Sequence, residues 1–118
     1  MSEPIRRGSV IWAEAGPTVG VGQSGRRPFV VVSSAGYLGI VTRLVIAIPV
    51  SKTARGWLNH VQLRGETGLG DVPSFAMTEQ IRAIARERIV KNAGTVSDEC
   101  LGEIDQWLRD FLDLPAFV

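Results

Sequence analysis

The sequence predicts a small, mostly β domain finished by one C-terminal α-helix. Three observations carry this. Residues 29–32 (FVVV) and 44–49 (LVIAIP) are uninterrupted apolar runs of strand length, the pattern of strands buried on both faces. Glycine and proline cluster between such runs, where turns need them. After Ser97, apolar residues recur at helical spacing behind a capping side chain. With 118 residues there is room for one core and one domain, spanning residues 1–118.

The elements follow in order. Residues 8–14 (GSVIWAE) read as a first strand with Val10 and Trp12 on one face, and Trp12 is expected in the core. Residues 15–26 hold four glycines and a proline and form a loop. The second strand covers 28–33, with Pro28 tolerated because it opens the strand. Residues 34–42 turn into the third strand at 44–49, and 51–57 (SKTARGW) form a polar turn. In residues 58–63, Leu58, His60 and Gln62 alternate with Asn59, Val61 and Leu63, and a glycine-rich loop follows at 64–73. The segment from 74 to 94 reads two ways. Ile81, Ile84, Ala85 and Ile89 fit a helix, which propensity favours, while strands around a turn at 85–88 also fit. The last helix starts after Ser97 and puts Leu101, Ile104, Leu108 and Phe111 or Leu112 on one stripe. It ends by Leu114, because Pro115 drives its predecessor out of α geometry.

Composition narrows the function classes. No apolar run is long enough to span a membrane, and the first residues lack a secretory apolar stretch. A lone cysteine and a lone histidine supply neither an internal disulfide nor a zinc site. Cys100 is expected to pack and His60 to be structural; the compartment expected is the cytoplasm. Residues 1–96 carry a balance of +6, and those from Ser97 onward −5. Eleven of the thirteen basic residues are arginine, whose fork suits phosphate oxygens. A basic body therefore suggests a polyanionic partner, against the plainer reading of ordinary solvated charge.

No phosphate-binding glycine loop, dinucleotide fingerprint, nucleophile elbow or metalloprotease helix is present. What remains is a set of polar residues at strand ends and in loops. Arg7-Gly8 precede Ile11-Trp12, then come Gly16-Pro17-Thr18, Gln23 with Gly25, and Arg27-Pro28 ahead of the valines. Pro49 leads to the hydroxyl of Ser51, and Glu79-Gln80-Ile81-Arg82 closes the series. In this order, over residues 7 to about 112, the chain resembles the MazF/PemK family of toxin endoribonucleases. The resemblance implies an SH3-like β-barrel with a C-terminal helix, working as a homodimer. It also favours strand over helix for residues 75–84, with a helical turn at ARER and another strand at 89–96.

The implied activity is sequence-selective cleavage of single-stranded RNA, commonly mRNA, leaving 2′,3′-cyclic phosphate and 5′-hydroxyl ends. Neither metal nor other cofactor is implied, and a cognate antitoxin is the implied partner. Arg27 falls on the family's arginine before proline and is expected to clamp phosphoryl oxygens. Ser51 falls on its threonine and is expected to donate to the same phosphate. Glu79 and Glu14 are alternatives for a base or for an acid holding Arg27, with Glu79 preferred as the catalytic residue. Gln80, Glu14, Gln23, Arg26, Lys52 and Trp57 are the expected substrate contacts, with solvated charge the alternative for Arg26; Trp57 and Tyr37 offer stacking faces, against the plainer reading of a dimer contact or satellite core. Trp107 is expected to flank the helix stripe. The chain departs from the family at Ser9 and Gly22, where acids are common. Two rival readings stand beside this one: a CcdB-like gyrase poison, and a weakened member kept as an interaction protein on the same barrel.

Overall fold

A computed structural model describes residues 4–14 and 25–115. Among them run β1 (Ser9–Glu14), β2 (Arg26–Val31), α1 (Ala35–Ile40), β3 (Leu44–Ser51), β4 (His60–Gln62), β5 (Phe75–Met77), β6 (Arg82–Ala85), β7 (Ile89–Thr95) and α2 (Asp98–Leu112). All pairings are antiparallel, in the order β4-β5-β3-β2-β1-β7, with β6 on β3. β3 organises the sheet. Its residues 44–47 pair with β6, Val50 and Ser51 pair with β5, and its other edge pairs with β2. One long strand serving two partners in succession curls the sheet into the barrel-like form that the resemblance implies.

The apolar runs are buried on both faces, and their alternate residues go to two different cores. Val10, Val30, Val32 and Ile48 pack with Cys100 and Ile104 of α2. Ile11, Phe29, Val31 and Val45 pack on the opposite face with Ile84. Ile104 is fully buried, a placement worth about 1.5–3 kcal/mol relative to exposure. Ser97 caps α2 by accepting the Cys100 N–H at 3.2 Å, and Asp98 and Glu99 occupy the first turn. The helix stops at Leu112, where Asp113 turns left-handed at φ 53° and Leu114 N–H returns to the Arg109 carbonyl. The buried part of the stripe is its first half; Phe111 and Leu112 are exposed.

The charge split has a partly internal explanation. Asp105 on α2 pairs with Arg7, which also donates to the Val32 carbonyl, and Glu103 pairs with Arg64 at 3.1 Å. Part of the acidic tail thus answers the basic body it lies against.

Over 74–94 the strands that the resemblance favours are present as β5, β6 and β7, with 3₁₀ turns at Thr78–Gln80 and Arg86–Arg88, in place of the helix that propensity favours. The β3 edge needs partners, and pairing Ile84 with Val45 both satisfies it and buries the isoleucine; tertiary pairing overrides propensity. The strand reading of 75–84 is likewise interrupted at 78–80. Residues 35–40 form a short helix, capped by Ser34 accepting the Tyr37 N–H at 3.0 Å, rather than a bare turn. Trp12 is half-buried rather than in the core. β1 meets β7 through two register shifts, one between Trp12 and Ala13, and such irregularities re-aim side chains at a strand's end.

Candidate functional site

The start of β2 and the end of β3 lie side by side, Phe29 opposite Pro49. This brings Arg27 and Ser51 to the mouth of one groove of about 340 Å³. Lys52 and Arg55 from the turn after β3, and Gln80 from the 3₁₀ turn after β5, complete its polar lining with Ser74. Trp12, Pro28 and Met77 are among its apolar walls. No carboxylate is among the described residues lining it, and none of its three cations makes an ion pair with a described residue. Larger hollows lie at Thr95 and Asn92, at Ile5 and Ile89, and at Arg43 and Leu44; none gathers this set.

The two arginines at the head of β2 separate cleanly. Arg26 stands opposite Glu14 in the strand register and pairs with it at 3.5 Å, both side chains largely exposed. Glu14 and Arg26 therefore answer each other outside the groove. Arg27 stands opposite Ala13 and makes no ion pair with any described residue. Ser51 accepts from Thr53 N–H at 3.1 Å and from Arg55 Nη1 at 3.3 Å. Both contacts use its oxygen, which leaves the hydroxyl hydrogen to donate into the groove. Arg55 was not singled out in the sequence; its signal was a second cation in the turn that Ser51 opens.

Glu79 is placed differently from Gln80. Its carboxylate lies outside the groove lining and is held by neighbours. His60 Nε2 contacts Oε1 at 3.0 Å and Oε2 at 3.2 Å, and Asn59 Nδ2 donates to Oε1 at 2.8 Å. Thr78, fully buried, donates to the Asn59 carbonyl at 2.7 Å and fixes the turn from below. The His60 side chain is 3% exposed beneath the half-exposed Trp57 ring, the two centroids 4.8 Å apart. Trp57 does not line the groove, and Tyr37 lies on α1. Ser9, one of the two departures, is buried and accepts the Arg6 N–H at 3.0 Å, so a hydroxyl there caps a turn. Gln23 and Gly22 fall outside the described residues.

Burial raises the Glu79 pKa, but its own backbone N–H, the His60 ring and the Asn59 amide outweigh that and hold it below the usual carboxylate value. A carboxylate with a depressed pKa is a weak proton acceptor. Its contribution to stability is present above the unfolded-state pKa and is lost as pH falls through the folded one. Wild type is therefore expected to exceed Glu79→Gln in unfolding free energy at pH 7, with the gap closing below about pH 4. Paired urea titrations check this; a gap that stays constant down to pH 3 contradicts it. Burial likewise pushes the Cys100 thiol up, consistent with packing inside the core.

Comparison with known proteins agrees with the fold and the motif order. The family described as PemK-like, MazF-like toxin of type II toxin-antitoxin system matches residues 6–112. Endoribonuclease MazF9 of Mycobacterium tuberculosis is 35% identical over 93% of this chain and 98% of its own length. Endoribonuclease EndoA of Bacillus subtilis is 29% identical over 96% and 98%. A crystal structure of MazE-MazF from Deinococcus radiodurans superposes with a TM-score of 0.80 at 26% identity, covering 97% of this chain and all of that one. By this match across nearly its whole length, the chain belongs to the PemK-like, MazF-like toxins of type II toxin-antitoxin systems.

Proposed function

We propose that this toxin is an endoribonuclease that cuts single-stranded RNA, mRNA foremost, in the groove between β2 and β3. The observation that carries the reading is the convergence of Arg27, Lys52 and Arg55 with the Ser51 hydroxyl on a groove whose described lining has no carboxylate. A phosphodiester is the ligand such a site favours, being anionic and rich in acceptors. The names of the two curated relatives support the same activity.

In the reaction the RNA 2′-hydroxyl attacks the adjacent phosphorus and the bond to the 5′ oxygen breaks. This forms a 2′,3′-cyclic phosphate and a 5′-hydroxyl. Negative charge grows on the phosphoryl oxygens, and prearranged donors stabilise it most where water is partly excluded. Arg27 clamps those oxygens with its fork, Ser51 donates its hydroxyl hydrogen, and Arg55 orients Ser51. Lys52 draws in the neighbouring phosphates, and Gln80 meets a base edge. The 2′ proton passes to solvent water and the leaving 5′ oxygen takes one back. The open face of Trp57 flanks the path of the strand beyond the groove. The protein acts as a homodimer in the cytoplasm without a metal, and a cognate antitoxin covers it. The MazE-MazF neighbour supports the last point.

The test is incubation of pure protein with a long RNA in excess EDTA, followed by mapping of the ends. Cleavage with new 5′ ends that accept phosphate from a polynucleotide kinase is expected. Intact RNA, with growth arrest relieved by resistant gyrase, sinks the reading in favour of a gyrase poison.

A further inference from the structure

The Gln80 side chain sits between two opposite charges. Its Nε2 lies 3.4 Å from Glu79 Oε2, at the long end of hydrogen bonding, and 3.7 Å from Met77 Sδ. On the other side Arg82 Nη2 donates to Gln80 Oε1 at 3.2 Å, and Arg82 Nε reaches the Gln80 carbonyl at 3.4 Å. Turning the amide over would put its oxygen against a carboxylate and its NH₂ against a guanidinium, so both contacts become repulsive. Glu79 is itself immobilised by the buried His60 ring and by Asn59, and Asn59 by Thr78. The chain of contacts runs from the core to one amide at the groove wall.

An amide matters here because it is directional. A base held in one pose offers either donor then acceptor, as adenine and cytosine do, or acceptor then donor, as uracil and guanine do. A freely turning glutamine pairs with both orders, whereas a locked one pairs with a single order. We propose that Glu79 and Arg82 act as positioning residues that lock the Gln80 amide, making it a single-valued reader of one base in the RNA. This inference rests on the endoribonuclease reading of the groove and assigns Glu79 to sequence selection rather than to proton transfer.

The experiment digests a pool of oligoribonucleotides with every base randomised near one cleavable step, in EDTA, and sequences the products. Wild type, Glu79→Gln and Arg82→Gln are compared, with Gln80→Ala and the double variant Glu79→Gln/Gln80→Ala. Glu79→Gln keeps the side chain's shape but presents either an oxygen or an NH₂ to Gln80, so the lock is lost. Expected is a fall of about tenfold in preference at a single position, the scale of one good amide–base contact. Summed cleavage over all sequences is expected to fall by less than that ratio. Arg82 is exposed, so its variant tests the lock without touching a core, and it should relax the same position. The double variant should be no less selective than Gln80→Ala. Parallel loss across all sequences in Glu79→Gln, with preference unchanged, overturns the inference and points to a chemical role. Preference unchanged in both charge variants at full activity overturns it too. If wild type leaves the pool intact, the functional reading itself falls, and this inference with it.

Discussion

Arg27→Ala is expected to lower the single-turnover cleavage rate about 10²–10³-fold, the loss seen when one prearranged donor to a transition-state oxyanion is removed. The size follows from where the side chain stands. Arg27 has no ion-pair partner among the described residues, so its charge is free for a ligand. It lines, with Ser51, a groove that holds two further cations and no described carboxylate. Arg27→Lys should recover only part of the rate, because an ammonium lacks the planar fork that holds two oxygens at once. Arg26→Ala is the internal control: its side chain is largely exposed and already paired with Glu14, and surface pairs of that kind contribute little. Rates on a defined oligoribonucleotide, with circular dichroism unchanged, decide the matter. A rate within fivefold of wild type for Arg27→Ala, or equal losses for both arginines, contradicts the assignment.

Gly94→Ala is expected to destabilise the fold by at least about 3 kcal/mol, since overpacking against rigid neighbours is costly. A Cβ at position 94 would lie 2.0 Å from the Glu66 carbonyl oxygen and 2.8 Å from the Thr67 carbonyl carbon. Both obstacles are backbone, and that backbone is tied down. Thr95 N–H donates to the Glu66 carbonyl at 2.9 Å, and Ser97 N–H donates to the Arg64 carbonyl at 2.8 Å. Relief requires the loop to lift, and the same loop supplies Leu69 to the groove wall. In a chain of this size the midpoint temperature should fall by about 12 °C. Gly102→Ala, on α2 with open space where the methyl would go, should instead stabilise by about 0.5–1 kcal/mol. Thermal unfolding followed by circular dichroism measures both; similar midpoints for the two variants would show that the loop is not packed as described.

The sequence was most informative where local chemistry and burial agree. The valine run of β2, the apolar run of β3 and the capped helix after Ser97 were all legible, because each states its period and its boundaries within a dozen residues. The order of short motifs was enough to suggest the family, and with it the barrel and the pairing of Arg27 with Ser51. Propensity alone points residues 74–94 toward a helix, since nothing local records that β3 has an open edge waiting for Ile84. Strand alternation places Trp12 in the core because it does not foresee register shifts against β7.

Within the site the same division holds. Residue types alone marked Arg27, Ser51, Lys52 and Gln80, and the groove gathers all four. They could not separate Glu79 from Gln80, neighbours in sequence that the 3₁₀ turn sends to different partners: the carboxylate to His60 and Asn59, the amide to the groove. Nor do they bring out Arg55, whose place in the site rests on its contacts with the Ser51 oxygen and the Met77 sulfur. The class of fold and a leaning toward an anionic partner are legible in the chain alone, because burial patterns and charge type are written residue by residue. Which partner holds each acid, which arginine stays unpaired among the described residues and which amide reaches the groove are settled by the tertiary structure. Those depend on distances between strands that meet across β3, and no local stretch of chain contains them.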